Sequence, residues 1–185
     1  MFKSLLSLGR RPNHAVIDAL YAEIVAAARQ PAFYSDWNVP DTPLGRFEML
    51  SVHVFLFLER ARKAGPGIAE EAQDLTDEFF KDVEHSLREL GIGDLGVPKR
   101  MKKLAKMFYG RAEAYRAGLA AEGSGELAAA LARNVRPDQT GWREADLLAA
   151  YMRDAFTLLE GQPDDALLAG RIAFPRAGAA RGEGE

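Results

Sequence analysis

Apolar side chains recur every three or four residues along almost the whole chain, and this spacing places them on one face of an α-helix. No stretch alternates apolar and polar residues for long enough to indicate a β-strand. A length of 185 residues fits one domain with a sizeable core. The pattern therefore predicts an all-α protein, a single-domain helical bundle of about six to seven helices with no sheet.

Prolines, glycines and capping residues divide this pattern into separate helices. Asn13 is placed to cap a first helix that stops before Pro31, and Thr42 with Pro43 is placed to begin a second helix that ends at residues 65–67. Apolar residues widen the stripe of the second helix, so we expect it to be the most buried. Further helices are predicted at residues 68–90, from Pro98 to about Leu119, from Ser124 to Asn134 and at residues 142–159, with a short last turn at Pro163.

The two ends of the chain are predicted to lie outside the helical domain. Residues 1–12 are a basic, weakly amphipathic segment, residues 13–174 are the helical domain, and residues 175–185 are a tail that we expect to be disordered. The apolar run near the N-terminus is shorter than that of a secretory signal, and no segment approaches the about 20 apolar residues that span a bilayer. We therefore expect a cytoplasmic protein, and a peripheral position on the cytoplasmic face of the inner membrane stays open.

The chain lacks the residue patterns of catalytic and metal sites. It has no cysteine, no Gly-x-Ser-x-Gly elbow and no Asp-rich diphosphate motif on an apolar helix face, and its histidines are scattered at positions 14, 53 and 85. Residues 91–96 match G-x-G-x-x-G, but a helix rather than a strand precedes them, which favours a helix-to-helix connection over a nucleotide site. We therefore predict no enzyme activity, no cofactor, no metal and no small-molecule substrate, and we expect His53 to be a hydrogen-bonded core residue.

Charge is segregated between two consecutive predicted helices. Residues 68–90 carry eight acids and two bases, a net charge of −6, whereas residues 99–116 carry seven bases and one acid, a net charge of +6. Either the two helices attract each other modestly, or the basic helix contacts the phosphates of RNA or of anionic lipids. The overall charge of −3 gives no general attraction to nucleic acid, and no DNA partner is expected.

Three aromatic residues, Phe33, Tyr34 and Trp37, cluster in a predicted loop ahead of Pro40. Aromatic side chains in a loop can anchor a partner protein in a pocket. They can equally fold back and cover the core, and this second interpretation is the favoured one.

Several separate blocks of the sequence, in order, carry a resemblance to a known family. The blocks are residues 33–34, 40–49, 77–82, 86–95, 99–102 and 108–111. Together they resemble the ubiquinol–cytochrome c chaperone family, the assembly factors for the respiratory ubiquinol–cytochrome c reductase. The resemblance covers about residues 30–140, and the composition is similar to that of the bacterial branch of the family.

The resemblance implies an all-α, non-enzymatic chaperone that binds newly made cytochrome b. It also adds weight to a contact between the basic helix and the ribosome or an anionic membrane surface. On this basis the expected partner-binding residues are Phe33, Tyr34, Trp37, Arg46, Lys99, Arg100, Lys102, Lys103, Lys106, Tyr109 and Arg111. The alternative is a helical RNA- or ribosome-binding module without a specific membrane-protein client.

Overall fold

The computed structural model describes residues 14–178, and within them every regular element is a helix. The elements are α1 (His14–Ala28), α2 (Pro31–Ser35), α3 (Pro43–Ala61), α4 (Pro66–Glu89), α5 (Val97–Ala120), α6 (Gly125–Val135), α7 (Ala145–Glu160) and α8 (Asp164–Leu168). The predicted all-α class is therefore confirmed, and the six long helices lie where the spacing of apolar residues and of proline and glycine placed them.

Helix α3 is the centre of the bundle, because it carries apolar residues on more than one face. Consecutive residues Phe55, Leu56 and Phe57 point in different directions from the helix axis, yet each is 1% exposed or less. Helices α1, α4, α5, α6 and α7 all pack against α3. The expectation that this helix is the most buried agrees with its 13 buried residues, more than any other helix contains.

The ends of the helices follow the predicted chemistry at some positions and not at others. The Thr42 hydroxyl accepts a hydrogen bond of 3.1 Å from the Gly45 amide, and Pro43 occupies the first turn of α3, as expected. Gly91 follows α4 with a positive φ of 79°. The Ser124 side chain makes no capping hydrogen bond, although its carbonyl accepts from Ala128 at 2.8 Å. The Asn13 cap lies outside the described residues.

The segment with the aromatic cluster is not the loop that the sequence predicts, because residues 31–35 form the short helix α2. Pro31 occupies its first turn, where the missing amide hydrogen is no loss. A single helical turn has little stability of its own. Helix α2 is therefore stabilised by burial of Phe33, which the local sequence pattern does not reveal.

Part of the predicted tail makes defined contacts with the helical domain. The Gln30 side-chain amide donates to the Pro175 carbonyl at 3.0 Å, and its oxygen accepts from the Ala177 amide at 2.7 Å. The predictions for residues 1–12 and 179–185 lie outside the described residues, and the domain boundaries stay predictions. Within residues 14–178 no helix is long and apolar enough to cross a membrane.

Candidate partner-binding site

An open groove of about 590 Å³ lies between α1, α3, α4 and α5, and we call it the apolar groove. Buried residues Phe47, Val83 and Leu87 form part of its lining. Leu44 and Leu90 also line it, yet they are 50% and 56% exposed. Its complete lining is Val25, Ala28, Arg29, Pro43, Leu44, Arg46, Phe47, Leu50, Asp82, Val83, Ser86, Leu87, Glu89, Leu90, Arg100, Lys103, Leu104 and Met107.

Basic side chains outnumber acidic ones around the apolar groove. Four bases line it, namely Arg29, Arg46, Arg100 and Lys103, against two acids, Asp82 and Glu89. Asp82 accepts a hydrogen bond of 2.8 Å from the Tyr21 hydroxyl, which joins α4 to α1. Burial and this carboxylate both raise the pKa of Tyr21, so Tyr21 stays protonated and remains a donor.

Arg46, one of the expected partner-binding residues, lines the apolar groove. Its Nε donates to Asp41 Oδ1 at 2.6 Å, and this hydrogen bond lowers the pKa of Asp41. More than half of each side chain is exposed to solvent. An exposed pair of this kind contributes little stability, so Arg46 is able to exchange Asp41 for an acceptor on a bound partner.

The aromatic cluster covers the core, as the favoured interpretation of the local sequence predicts, and none of its three residues lines the apolar groove. Phe33 is fully buried, and its ring packs edge to face against Trp37 and Tyr151 at 5.3 and 5.0 Å between centroids. The Trp37 carbonyl accepts from the Trp142 indole at 3.0 Å, and the Tyr34 hydroxyl donates to the Ala28 carbonyl at 2.9 Å. Burial of these large apolar rings stabilises the fold. The buried rings are therefore not accessible to a partner.

His53 lies in the same core region and is hydrogen-bonded, as predicted. Its Nδ1 donates to the Met49 carbonyl at 2.8 Å, and its Nε2 accepts from the Tyr151 hydroxyl at 2.8 Å. Complete burial lowers the pKa of His53 to about 4, so the imidazole is neutral near pH 7. The ring is therefore a structural connector between α3 and α7.

Five of the expected basic contacts lie together on the surface of α5. Lys99, Arg100, Lys102, Lys103 and Lys106 are all exposed and surround one shallow depression, and we call them the basic face. Tyr109, 58% exposed, follows them on the same helix. None of the five bases forms an ion pair with a described residue, so direct pairing with the acids of α4 does not account for them.

Arg111 does not belong to the basic face, which corrects the sequence interpretation. Its guanidinium lies 2.6 Å from Glu48 of α3, and its side chain is only 12% exposed. Its position could have been inferred, because Arg111 follows buried Phe108 by three residues and precedes buried Tyr115 by four. It is therefore on the inner side of α5.

Glu48 is a buried titratable residue that the sequence analysis missed. Only 1% of its surface is exposed, and burial raises its pKa to about 7 although Arg111 opposes the shift. The signal was available in the sequence, since Glu48 lies between Phe47 and Met49 in a helix with apolar residues on several faces. The pair of Glu48 with Arg111 connects α3 to α5.

The remaining sequence motifs have structural roles. Residues 91–96 connect α4 to α5, as expected, and contain the positive φ of Gly91. Within residues 14–178 no cluster of His, Asp or Glu is arranged to hold a metal ion. The apolar groove lies next to the basic face, since Arg100 and Lys103 belong to both.

Comparison with known proteins identifies the family. A model of the family described as ubiquinol-cytochrome C chaperone matches residues 35–174. The chain belongs to the ubiquinol-cytochrome C chaperone family. This chaperone family is not catalytic, which confirms the prediction of a non-enzymatic protein.

Two relatives of this chaperone support the assignment. The chain is 26% identical to the Xenopus laevis protein named ubiquinol-cytochrome-c reductase complex assembly factor 1 over 144 residues, which span 77% of this chain and 72% of the relative. This chain is also 56% identical in sequence to the protein in the crystal structure of the Cbp3 homolog from Brucella abortus. That comparison has a TM-score of 0.82 and covers 88% of this chain and 90% of the other. The matched region contains α3, α4 and α5, which supply most of the apolar groove.

Proposed function

We propose that this protein is an assembly chaperone for ubiquinol–cytochrome c reductase that binds newly made cytochrome b through the apolar groove. The observation that carries the proposal is the groove itself, in a chain that belongs to a chaperone family. A chaperone for a membrane protein has to cover apolar segments that have not yet been inserted. An exposed apolar surface provides that cover, whereas a helical bundle without a client would bury it.

The shape and lining of the apolar groove suit a short amphipathic or apolar helical stretch. Its volume lies within the range of about 300–1,000 Å³ that is typical of binding pockets. A helix seated in such a groove anchors side chains at spacings of three and four residues. Met107 and the half-buried Leu50 and Leu104 supply apolar side chains, and methionine adapts its shape to different contacts.

The bases at the groove favour a particular end of the client helix. The last turn of a helix exposes carbonyl oxygens without partners and carries a partial negative charge. Arg46 and Arg29 are placed at the groove to donate to those oxygens. The proposal therefore includes an orientation, in which the C-terminal end of the client segment lies near these two arginines.

The first testable prediction is that charge in the groove blocks assembly. Leu44→Glu and Leu90→Glu place carboxylates in the groove at sites that are already half exposed, so we expect the fold to be retained. Each change should lower the amount of assembled reductase at least about fivefold in a deletion strain that carries the variant, because an unpaired charge facing an apolar client costs 1–3 kcal/mol or more. The measurements are the haem b absorbance of membranes and native gel electrophoresis.

Leu147→Glu is the matched control, because Leu147 is 49% exposed and lies on α7 outside the groove. It should restore assembly as well as the unchanged protein does. A deletion strain with normal amounts of assembled reductase would disprove the chaperone role. Full restoration by Leu44→Glu and Leu90→Glu would disprove the role of the groove while leaving the chaperone role intact.

A further inference from the structure

The connection between α4 and α5 exposes a leucine that makes no contribution to the core. Leu95 is 99% exposed, and it precedes the basic face by only four residues. Leu90, at the end of α4, is 56% exposed and lies at the other end of the same connection. The connection therefore presents apolar side chains directly beside a cluster of bases that form no ion pair within residues 14–178.

The basic face is unfavourable for the isolated protein. The first turn of α5 contains no acidic residue, and positive charges near a helix N-terminus oppose the helix dipole. Like charges three or four residues apart on one helix, such as Lys99, Lys102 and Lys106, repel each other. An anionic surface lying against this helix would relieve both effects, so the charge pattern itself indicates a polyanionic partner.

The acidic residues near the connection do not cancel the basic face. Glu84 and Asp94 both pair with Arg88, at 2.8 Å for Glu84. Glu89 lies 3.2 Å from the His85 imidazole. The five exposed bases therefore remain the main uncompensated charge at this end of the molecule.

We infer that this end of the protein docks on an anionic lipid bilayer, with Leu95 inserted among the lipids and the basic face against the headgroups. The stripe Lys102, Lys106 and Tyr109 recurs at intervals of four and three residues, so these side chains lie on one side of α5. Tyrosine is typical of the membrane–water interface. An exposed leucine beside a cluster of bases can enter the apolar region of a bilayer while the bases contact the headgroups, whereas the leucine gives an RNA phosphate backbone nothing to bind. This arrangement favours lipid over RNA.

The inference also places the client site next to the membrane. Arg100 and Lys103 belong both to the basic face and to the lining of the apolar groove. A protein docked in this way would hold the groove beside the bilayer that receives a membrane-protein client. The docking itself does not depend on the client, so it is testable with the purified protein alone.

The test is sedimentation of the full chain with vesicles of phosphatidylcholine and phosphatidylglycerol, compared with vesicles of phosphatidylcholine alone. We expect binding to the anionic vesicles only. The triple change Lys102→Glu, Lys103→Glu and Lys106→Glu should lower binding at least about 100-fold, at about fivefold for each lysine lost. Leu95→Ser should lower it about tenfold or more, because the leucine no longer enters the apolar region.

Two controls match these changes in charge and in apolar area. The triple change Arg133→Glu, Arg143→Glu and Arg171→Glu alters the net charge equally at exposed bases that belong to neither α5 nor the basic face, and this variant should bind as the unchanged protein does. Leu147→Ser removes a leucine that is 49% exposed on α7 and should also bind normally. Equal sedimentation with both kinds of vesicle would overturn the inference. So would tight binding to single-stranded RNA together with vesicle binding that Leu95→Ser leaves unchanged.

Discussion

At the scale of single residues, two buried titratable groups oppose each other in their response to pH. Burial raises the pKa of Glu48 to about 7 and lowers that of His53 to about 4. The Glu48 contribution to stability is present below its unfolded pKa near 4.5 and is lost as pH rises through about 7. The His53 contribution is present above its unfolded pKa near 6.5 and is lost as pH falls through about 4. Between these limits the two contributions largely cancel.

Single substitutions should therefore reveal pH dependence that the unchanged protein conceals. Relative to the unchanged protein, Glu48→Gln should gain stability as pH rises from about 5 to 7.5, and His53→Gln should gain stability as pH falls from about 6.5 to 4. Each relative change should be on the order of 2–3 kcal/mol, at about 1.4 kcal/mol per unit of pKa shift. The measurement is chemical unfolding across this pH range.

Differences between variants are the relevant quantity here, because the many surface carboxylates contribute equally to all three proteins. Curves of unfolding free energy against pH that run parallel for the three proteins would contradict this account of Glu48 and His53. Loss of the Glu48 partner also leaves Arg111 buried, so a constant destabilisation of Glu48→Gln at every pH is expected in addition.

At the scale of elements, the packing of α5 against α6 depends on a glycine. A Cβ at Gly118 would lie 2.8 Å from the Leu127 Cα and 3.0 Å from the Leu127 amide nitrogen, both backbone atoms that cannot move independently. Arg153 of α7 donates to the carbonyls of Gly118 and Leu119 at 2.7 and 3.1 Å, so it holds the end of α5 in place. The close approach of the two helices is therefore supported from a third helix.

A pair of glycine substitutions on α5 should have opposite effects on stability. Gly118→Ala should destabilise the protein by about 1–3 kcal/mol, because the added methyl group forces α5 and α6 apart. Gly110→Ala should stabilise it by about 0.5–1 kcal/mol, because nothing lies within 4 Å of the added Cβ and alanine is the better helix former. Thermal or chemical unfolding measures both, and destabilisation by Gly110→Ala or a neutral Gly118→Ala would refute this account of the helix contact.

At the scale of the whole molecule, the segment at residues 174–177 packs against residues far away in the sequence, and we call this contact the chain closure. Gln30, between α1 and α2, bonds to residues 175 and 177, and the Phe174 ring packs against His53 at 5.2 Å. The apolar groove and the basic face lie on α5 and its neighbours, whereas this closure involves α2, α3 and α7. The apolar groove thus shares α3 with the chain closure, whereas the basic face lies on α5 alone.

The chain closure predicts how Gln30→Ala changes amide hydrogen exchange in different parts of the protein. Loss of these two hydrogen bonds should release residues 175–177 from the bundle and raise their amide hydrogen exchange about 30-fold, because each hydrogen bond contributes about 1 kcal/mol. Exchange in α4 and α5, which the Gln30 hydrogen bonds do not involve, should stay unchanged. Faster exchange throughout the bundle would show instead that the closure is part of the global fold.

The sequence alone determined the helices and the absence of catalytic patterns. Helix formation depends on neighbours within four residues, so the spacing of apolar side chains and the positions of Pro31, Pro43 and Gly91 were sufficient to place the long helices. The basic face was predictable for the same reason, since Lys102 and Lys106 lie on one side of one helix.

Only the tertiary structure decided which side chains face each other across helices. Burial of Phe33, pairing of Arg111 with Glu48 and formation of the apolar groove each depend on residues far apart in the chain. An aromatic cluster has the same local pattern whether it faces the core or the solvent, and the free energy that decides between them comes from packing against distant elements such as α7. For this reason the sequence indicated single candidate residues such as Arg46, whereas the apolar groove is lined by residues of α1, α3, α4 and α5 together.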